Sequence, residues 1–113
     1  MIYEPFDIVV VPFPFTDSTR SKRRPALVLS NNEDFGNETE HTVLAMITSQ
    51  KNAPWPLDCP IKNKKASGLT ASSVVRMKLF TLDNRFILRK TGHLSKSDQK
   101  KVEQTLSKIF PCL

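Results

Sequence analysis

The chain has 113 residues, and its 17 lysines and arginines against 11 acidic residues give a net charge of +6. Hydrophobic residues make up 39% of the sequence, which predicts one domain over residues 1–113 with a modest core that a partner or a second copy can complete. The positive charge favours an anionic partner such as nucleic acid, anionic lipid or an acidic protein segment.

The N-terminus and the apolar stretches argue against export and membrane insertion. Residues 1–5 contain an acid and a proline and no basic segment, unlike a signal peptide. The longest apolar stretch, residues 8–15, holds two prolines and is far shorter than a membrane span. We therefore expect a cytoplasmic protein that enters no membrane, with Cys59 and Cys112 as free thiols.

The sequence contains no motif for a metal or a bound cofactor. No spacing of His and Cys resembles a zinc site, and with three glycines a Gly-rich phosphate loop is nearly excluded. We therefore expect neither a metal nor a cofactor.

Short apolar runs separated by polar turns dominate the first half of the chain. They predict strands at 7–11, 26–29, 42–48 and 57–61. Pro12 and Pro14 end the first strand or place it at a sheet edge, because proline donates no hydrogen bond to a ladder. The polar and basic residues 16–24 are expected to form a loop, and 62–65 form a second basic loop.

Two further strands are expected in the second half. Residues 73–82 predict one strand bent at Lys78, and residues 85–90 predict another. The turn residues Asp83 and Asn84 between them favour a hairpin.

The last element has the features of a helix. Ser95 followed three residues later by Asp98 is an approximate capping box, and Pro111 stops the run. Apolar residues recur between them at helical spacing, at Val102, Leu106, Ile109 and Phe110. Several short strands followed by one helix of about four turns predict a mainly β fold, a small barrel with a C-terminal α-helix.

A cluster of cations, Lys22, Arg23 and Arg24, ends at Pro25. Arginine presents a planar fork of donors that stays charged, and proline restricts the backbone of the residue before it to extended conformations. A basic loop that leads into a rigid strand is suited to holding a phosphate, although a solvated turn explains the same residues more simply.

Four stretches of the chain form an ordered pattern. FDIVVV and FPFTD lie within residues 6–17, RRPALVLS covers 23–30, AMITS covers 45–49, and GL, SVV, FTLDNR and GHLS follow between 68 and 95. This set, which spans nearly the whole chain, resembles the MazF/PemK toxin family of type II toxin–antitoxin systems. Phe6 departs from the family pattern, which usually has glycine there.

The resemblance implies an SH3-like β-barrel, a homodimer, and a sequence-specific endoribonuclease that cleaves single-stranded RNA without a metal. It also implies a cognate antitoxin, acidic and partly disordered, whose flexible tail blocks the RNA groove. Metal-free cleavage uses the 2′-hydroxyl of the RNA as nucleophile and leaves 2′,3′-cyclic phosphate and 5′-hydroxyl ends. The enzyme must align the 2′-oxygen with phosphorus and stabilise the added negative charge.

The resemblance also assigns catalytic candidates. Arg24 matches the family's catalytic arginine before proline, which implies that it stabilises the phosphorane. Thr48 matches the threonine at the end of the third strand, where its hydroxyl would donate to a phosphoryl oxygen, and Ser49 follows the same logic. Asp17 is a candidate to orient Arg24 or to act as base on the 2′-hydroxyl, although an Asp that simply forms a turn is an equally good interpretation.

RNA-binding candidates are basic and aromatic side chains in the expected loops. They are Arg20, Lys22, Arg23 and Lys64 for the RNA backbone, and Phe15 and Trp55 for stacking on unpaired bases. Solvated lysines and aromatic packing against a dimer partner are the simpler interpretations. His41 and His93 are interpreted as structural or solvated, so the general base stays unassigned.

Two other functions fit the same sequence. A toxin similar to CcdB, which poisons DNA gyrase, shares the expected fold and binds a protein instead of cleaving RNA. A barrel that binds nucleic acid without catalysis would also carry this charge.

Overall fold

Six antiparallel strands form one curled sheet within residues 2–13 and 22–113, the part of the chain that the computed structural model describes. They are β1 (Asp7–Phe13), β2 (Lys22–Val28), β3 (His41–Ser49), β4 (Cys59–Pro60), β5 (Ser73–Asp83) and β6 (Arg89–His93). Their order across the sheet is β4-β5-β3-β2-β1-β6, which makes a half-barrel. The expected mainly β fold with a C-terminal helix is confirmed.

Both faces of the sheet carry a cluster of buried side chains, because successive apolar residues along a strand point to opposite faces. On one face Ile8, Leu27 and Ile47 pack with Val102 of the C-terminal helix. The opposite cluster contains Tyr3, Val9, Val28, Leu44, Leu82 and Ile87. The same strands therefore supply two cores, and each face is covered by a different part of the chain.

The helices are α1 (Asn37–Thr39), α2 (Lys64–Ser67) and α3 (Lys96–Ile109), and α3 begins where the sequence predicts it. The Ser95 hydroxyl accepts a hydrogen bond from the Asp98 amide at 3.3 Å. The Asp98 carboxylate does not turn back to complete a capping box. It is buried, and it accepts hydrogen bonds from the backbone amides of Lys62 at 3.1 Å and Asn63 at 3.0 Å. Asp98 thus ties α3 to the segment that precedes the short helix α2 (Lys64–Ser67).

Strand β2 begins earlier than expected, so the prediction of a loop over 22–24 is wrong. Lys22 to Arg24 pair with β1, from Phe13 to Val11. Strand β1 likewise continues through Pro12 instead of ending there. At this end β1 has only β2 beside it, since β6 pairs with β1 no further than Val10. A proline is tolerated where a strand has a ladder on one side only.

The predicted hairpin between residues 73–82 and 85–90 is wrong. Asp83 instead caps a short 3₁₀ turn, Asn84–Phe86, by accepting a hydrogen bond from the Arg85 amide at 2.9 Å. Ile87 is buried in the second core cluster, and the chain then crosses to pair β6 with β1. Competition from the Asp83 side chain and burial of Ile87 outweigh the local turn signal.

Other expectations have mixed outcomes. At the position of the expected bend in β5, the register with β3 slips, so that Met77 and Lys78 have no partner on β3. The basic loop expected at 62–65 is wrong in its second half, where α2 begins at Lys64. Cys59 and Cys112 are free thiols, as expected. No helix in the described ranges is long and apolar enough to cross a membrane.

Two glycines let the segment after α2 lie directly against β6. Gly68 has a φ of +72°, and a Cβ there would overlap the carbonyl oxygen of Thr91. A Cβ on Gly92 would overlap the carbonyl oxygen of Ala66. The Thr91 hydroxyl also donates to the Ser67 carbonyl at 3.0 Å. Residues 66–68 are therefore held on β6 by close backbone contacts and by the Thr91 hydroxyl, and neither glycine has room for a Cβ.

We predict that Gly92→Ala destabilises the fold by about 1–3 kcal/mol, because backbone must move to admit the methyl group. Urea denaturation measures the change. Gly36→Ala is the matched control, since Gly36 has a φ of −61° and its added Cβ would meet only the Asn32 side chain, at 2.7 Å. Equal losses in the two variants would contradict the close contact at Gly92.

Candidate functional site

Two adjoining clefts lie where β2 begins and β3 ends. The first cleft, of about 260 Å³, is lined by Arg24, Pro25, Ile47, Thr48 and Ser49 on one side and by residues from Leu69 to Ser73 on the other. The second cleft, of about 300 Å³, is lined by Arg23, Arg24 and Arg89 with Val10, Pro25, Thr91 and residues 68–70. Arg24, Pro25, Leu69 and Thr70 line both, so the clefts are continuous.

The register of β2 and β3 brings Arg24 and Thr48 together. Ala26 is the last residue of β2 that pairs with β3, opposite Met46. Continuing that register by two residues places Arg24 opposite Thr48, beyond the point where the ladder ends. Pro25 has no amide proton to extend the ladder, so the strands part there and leave the first cleft between them.

The hydroxyls at the end of β3 are held by the turn that follows. The Asn52 side-chain amide donates to Thr48 Oγ1 at 2.5 Å, and the Lys51 backbone amide donates to Ser49 Oγ at 3.2 Å. Both contacts use an oxygen lone pair and leave each hydroxyl its proton. Thr48 and Ser49 can therefore donate to an anion that enters the first cleft.

The segment from Gly68 to Ala71 forms the opposite wall of both clefts. The Leu69 amide donates to Ser67 Oγ at 3.1 Å, and Ser73 Oγ donates to the Ala71 carbonyl at 3.0 Å. These bonds, with the glycine contacts to β6, set the position of Thr70, which is exposed and lines both clefts.

The residues predicted from sequence divide into three groups. Arg24, Thr48 and Ser49 line the first cleft, and Arg23 lines the second with Arg24. Lys22, Lys64 and Trp55 line neither cleft. Phe15, Asp17 and Arg20 lie outside the described residues.

Sequence reasoning missed Thr70 and Arg89. The motif at Gly68 and Leu69 pointed to this segment but stopped one residue short of Thr70. Arg89 was missed because the wrong hairpin would put its strand beside β5. Pairing of β6 with β1 places it opposite Val10, which is opposite Pro25 on the other side.

The two histidines lie at strand ends away from the clefts. His41 starts β3, and its Nδ1 is 2.8 Å from the Thr39 carbonyl oxygen. His93 ends β6 opposite Asp7. Among the described residues, no carboxylate or imidazole lines either cleft, and no three His, Cys, Asp or Glu side chains form a group that could hold a metal.

An ion pair shapes the loop between β3 and β4. Arg76 donates from Nε and Nη2 to the two carboxylate oxygens of Asp58, at 3.2 and 3.0 Å, and from Nη2 to the Ala53 carbonyl at 2.8 Å. Burial raises the pKa of Asp58, but the hydrogen bonds from Arg76 and the Trp55 amide outweigh it and hold that pKa below its usual 3.8. This pair fixes the loop that carries Trp55.

A lysine covers one face of the Trp55 ring. Its side chain is 42% exposed, and the ammonium nitrogen of Lys78 lies 4.4 Å from the ring centroid, at the distance of a cation–π contact. A base that stacks on Trp55 must therefore use the opposite face or displace Lys78.

A model of one protein family matches nearly the whole chain. Residues 4–110 match the family model described as PemK-like, MazF-like toxin of type II toxin–antitoxin system. The chain belongs to this family. Sequence comparison with curated proteins finds no match.

Solved structures of MazF toxins share the fold. The Mycobacterium tuberculosis toxin MazF-mt6 is 21% identical, with a TM-score of 0.73 over 93% of this chain and 96% of that one. A MazE–MazF structure from Deinococcus radiodurans is 18% identical, with a TM-score of 0.77 over 98% of each chain. A mycobacterial endoribonuclease in complex with its cognate antitoxin is 15% identical, with a TM-score of 0.71 over 94% of this chain and 90% of that one.

Asp58→Asn should destabilise this MazF/PemK-family chain by about 1–3 kcal/mol, because it leaves Arg76 largely buried without its counter-charge. Ionised Asp58 contributes its full stability above pH 3.8, its ordinary pKa. That stability is lost as the pH falls through the pKa of Asp58 in the folded protein, which is lower. In urea denaturation the difference from wild type should therefore stay constant near neutral pH and shrink as the pH falls below about 3.8.

Asp83→Asn serves as the control for that comparison. Asp83 pairs with Arg85, whose side chain is 83% exposed, and exposed ion pairs contribute little. A loss as large as that of Asp58→Asn would contradict the importance of burial for the Arg76 pair.

Proposed function

We propose that this toxin is a metal-independent endoribonuclease of single-stranded RNA, with the first cleft as its active site. The observation that carries the proposal is the meeting of Arg24 with the hydroxyls of Thr48 and Ser49 in one cleft. A guanidinium and two hydroxyls are donors for the oxygens of a phosphate in its transition state. The mycobacterial endoribonuclease with the same fold supports this reaction class.

The cleft residues have separate roles in the proposed reaction. The 2′-oxygen of the RNA attacks phosphorus, the bond to the 5′-oxygen breaks, and that oxygen takes up a proton. Arg24 stabilises the phosphorane and hydrogen-bonds the leaving oxygen, which takes its proton from water, while Thr48 and Ser49 donate to the non-bridging oxygens. Because the nucleophile is the 2′-hydroxyl, DNA is not a substrate.

The proton of the 2′-hydroxyl needs an acceptor that Arg24 cannot provide, because its guanidinium stays charged. We assign this role, or that of orienting Arg24, to Asp17. It precedes Arg24 by seven positions in the chain and lies in the stretch that connects β1 to β2. A carboxylate can act as a general base and accept a proton in the transition state.

An acidic, partly disordered antitoxin is the proposed partner, met in the cytoplasm. The Deinococcus radiodurans relative is a MazE–MazF complex, and the mycobacterial relative is bound to its cognate antitoxin. The net charge of +6 and the exposed arginines of the second cleft suit an acidic segment that orders on binding.

We also propose a homodimer through an apolar groove beside α3. The groove, of about 370 Å³, is lined by Leu29, Ser30, Val43, Leu79, Leu106, Phe110 and Leu113. Phe110 and Leu113 are 37% and 81% exposed, so they project beside a hollow formed by the other apolar residues. A surface that carries both a projection and a hollow can pair with its own copy about a twofold axis.

Incubating the purified toxin with a long RNA in EDTA should yield discrete fragments with 2′,3′-cyclic phosphate and 5′-hydroxyl ends. Arg24→Ala should slow cleavage by about 10²–10³-fold, since it removes the donor to the developing charge. Thr48→Val, which keeps the shape and removes the hydroxyl, should slow it by about 10–10²-fold. Mapping fragment ends and measuring single-turnover rates check both values.

Controls and further arms use the same assay. Thr81→Val, at an exposed position of β5, and Arg85→Ala should leave the rate unchanged. Asp17→Asn should remove the acid limb of the pH–rate profile if Asp17 is the base, and lower the rate at every pH if it only orients Arg24. If the protein binds RNA in a salt-sensitive way but leaves it intact, the nuclease proposal is wrong and the protein is a barrel that binds nucleic acid without catalysis. Gyrase-dependent DNA damage in cells would indicate a toxin that poisons gyrase.

Phe110→Glu should convert the dimer to monomer, because it places a charge in the apolar interface. Analytical ultracentrifugation measures the shift in mass. Phe86→Glu is the control, since Phe86 is 48% exposed outside the groove and should leave the mass unchanged. A monomeric wild type, or a dimeric Phe110→Glu variant, would refute this interface.

A further inference from the structure

The second cleft gathers cations that lack counter-charges. Arg23, Arg24 and Arg89 line it, and none forms an ion pair with any residue in 2–13 or 22–113. The other two arginines in that part of the chain are paired, Arg76 with Asp58 and Arg85 with Asp83, and Lys90 is paired with Asp7. The contrast between Arg89 and its neighbour Lys90 is sharp, because Lys90 lies 3.1 Å from the Asp7 carboxylate.

The sheet sets the spacing of these arginines. Arg89 on β6 and Arg24 on β2 lie on either side of β1, so their backbones are two strand spacings, or about 10 Å, apart. Val10 and Pro25 form the apolar floor between them. Arginines from β2 and from β6 therefore line one cleft whose width suits a group the size of a phosphate.

The chemistry of the cleft selects an anion with several acceptor oxygens. Three like charges around one cavity repel one another, and binding an anion relieves that repulsion. Arginine forks match phosphate oxygens in pairs, and the Thr70 and Thr91 hydroxyls on the cleft wall add neutral donors. The floor contributes no polar side chain, so the cleft contacts the charged phosphate oxygens and does not distinguish one base from another.

We propose that the second cleft binds the phosphodiester next to the one held at Thr48, with Arg23 and Arg89 as its ligands and Arg24 shared between the two. The proposal deepens the RNA function proposed above and rests on it. Continuity of the clefts through Arg24 and Thr70 favours an RNA strand over an acidic peptide, because a strand at Thr48 passes the second cleft on leaving. Arg89 is thereby a binding residue for RNA.

The test measures binding without cleavage. A fluorescent single-stranded heptanucleotide with 2′-O-methyl sugars has no free 2′-hydroxyl, so it binds intact to the wild-type toxin. Its affinity is measured by anisotropy across a series of salt concentrations. Arg89→Gln should weaken binding about tenfold at low salt and reduce the slope of log affinity against log salt by about 0.7, the value for one phosphate contact on a single strand. Arg85→Gln, at an exposed arginine outside both clefts, is the matched control and should change neither quantity.

Steady-state kinetics test whether this phosphate site lies next to the first cleft. On a cleavable RNA, Arg89→Gln should raise KM and leave kcat unchanged, since it removes binding that is equal in the ground and transition states. An unchanged salt slope in Arg89→Gln would overturn the proposed phosphate site, even if the wild type cleaves RNA. The site would also be overturned if Arg89→Gln bound oligoglutamate more weakly but bound RNA as tightly as the wild type. If wild type cleaves no RNA but Arg89→Gln still loses the slope, the phosphate site stands and only the nuclease proposal fails.

Discussion

The parting of β2 and β3 at Pro25 is the constraint on which both clefts depend. β3 remains paired with β5 as far as Ser49, while β2 remains paired with β1 as far as Lys22. Each strand therefore keeps one ladder and lacks the other, which holds it rigid yet leaves a gap between them. The first cleft arises from the end of a ladder within the sheet, and Arg24 extends into it from a strand backbone that is paired on one side.

The opposite wall of the clefts is fixed by elements far along the chain. Gly68 and Gly92 allow backbone to lie on backbone at β6, and the buried Asp98 of α3 accepts two amide hydrogen bonds from the start of the same segment. A loop held at both ends has few conformations to lose when a ligand binds, so less binding free energy is spent on ordering it. Residues with no contact to the clefts thus determine how well Thr70 is positioned.

Local signals in the sequence were sufficient for some elements and not for others. The C-terminal helix was predictable because Ser95 and the helical spacing that includes Val102 are local features. The partner of β6 was not, because the choice between β1 and β5 depends on the burial of Ile87, a tertiary effect. The same error hid Arg89, whereas Arg24 and Thr48 were named through the family resemblance, since a threonine at a strand end is otherwise unremarkable.

The arginines of the described chain divide between paired and unpaired positions. Asp58 and Asp83 neutralise Arg76 and Arg85, whereas the arginines of the second cleft carry unopposed charge at one end of the sheet. In the proposed function, RNA and an acidic antitoxin are both polyanions drawn to this end. They would then exclude one another by occupying the same charges, and inhibition would need no change in the conformation of the toxin.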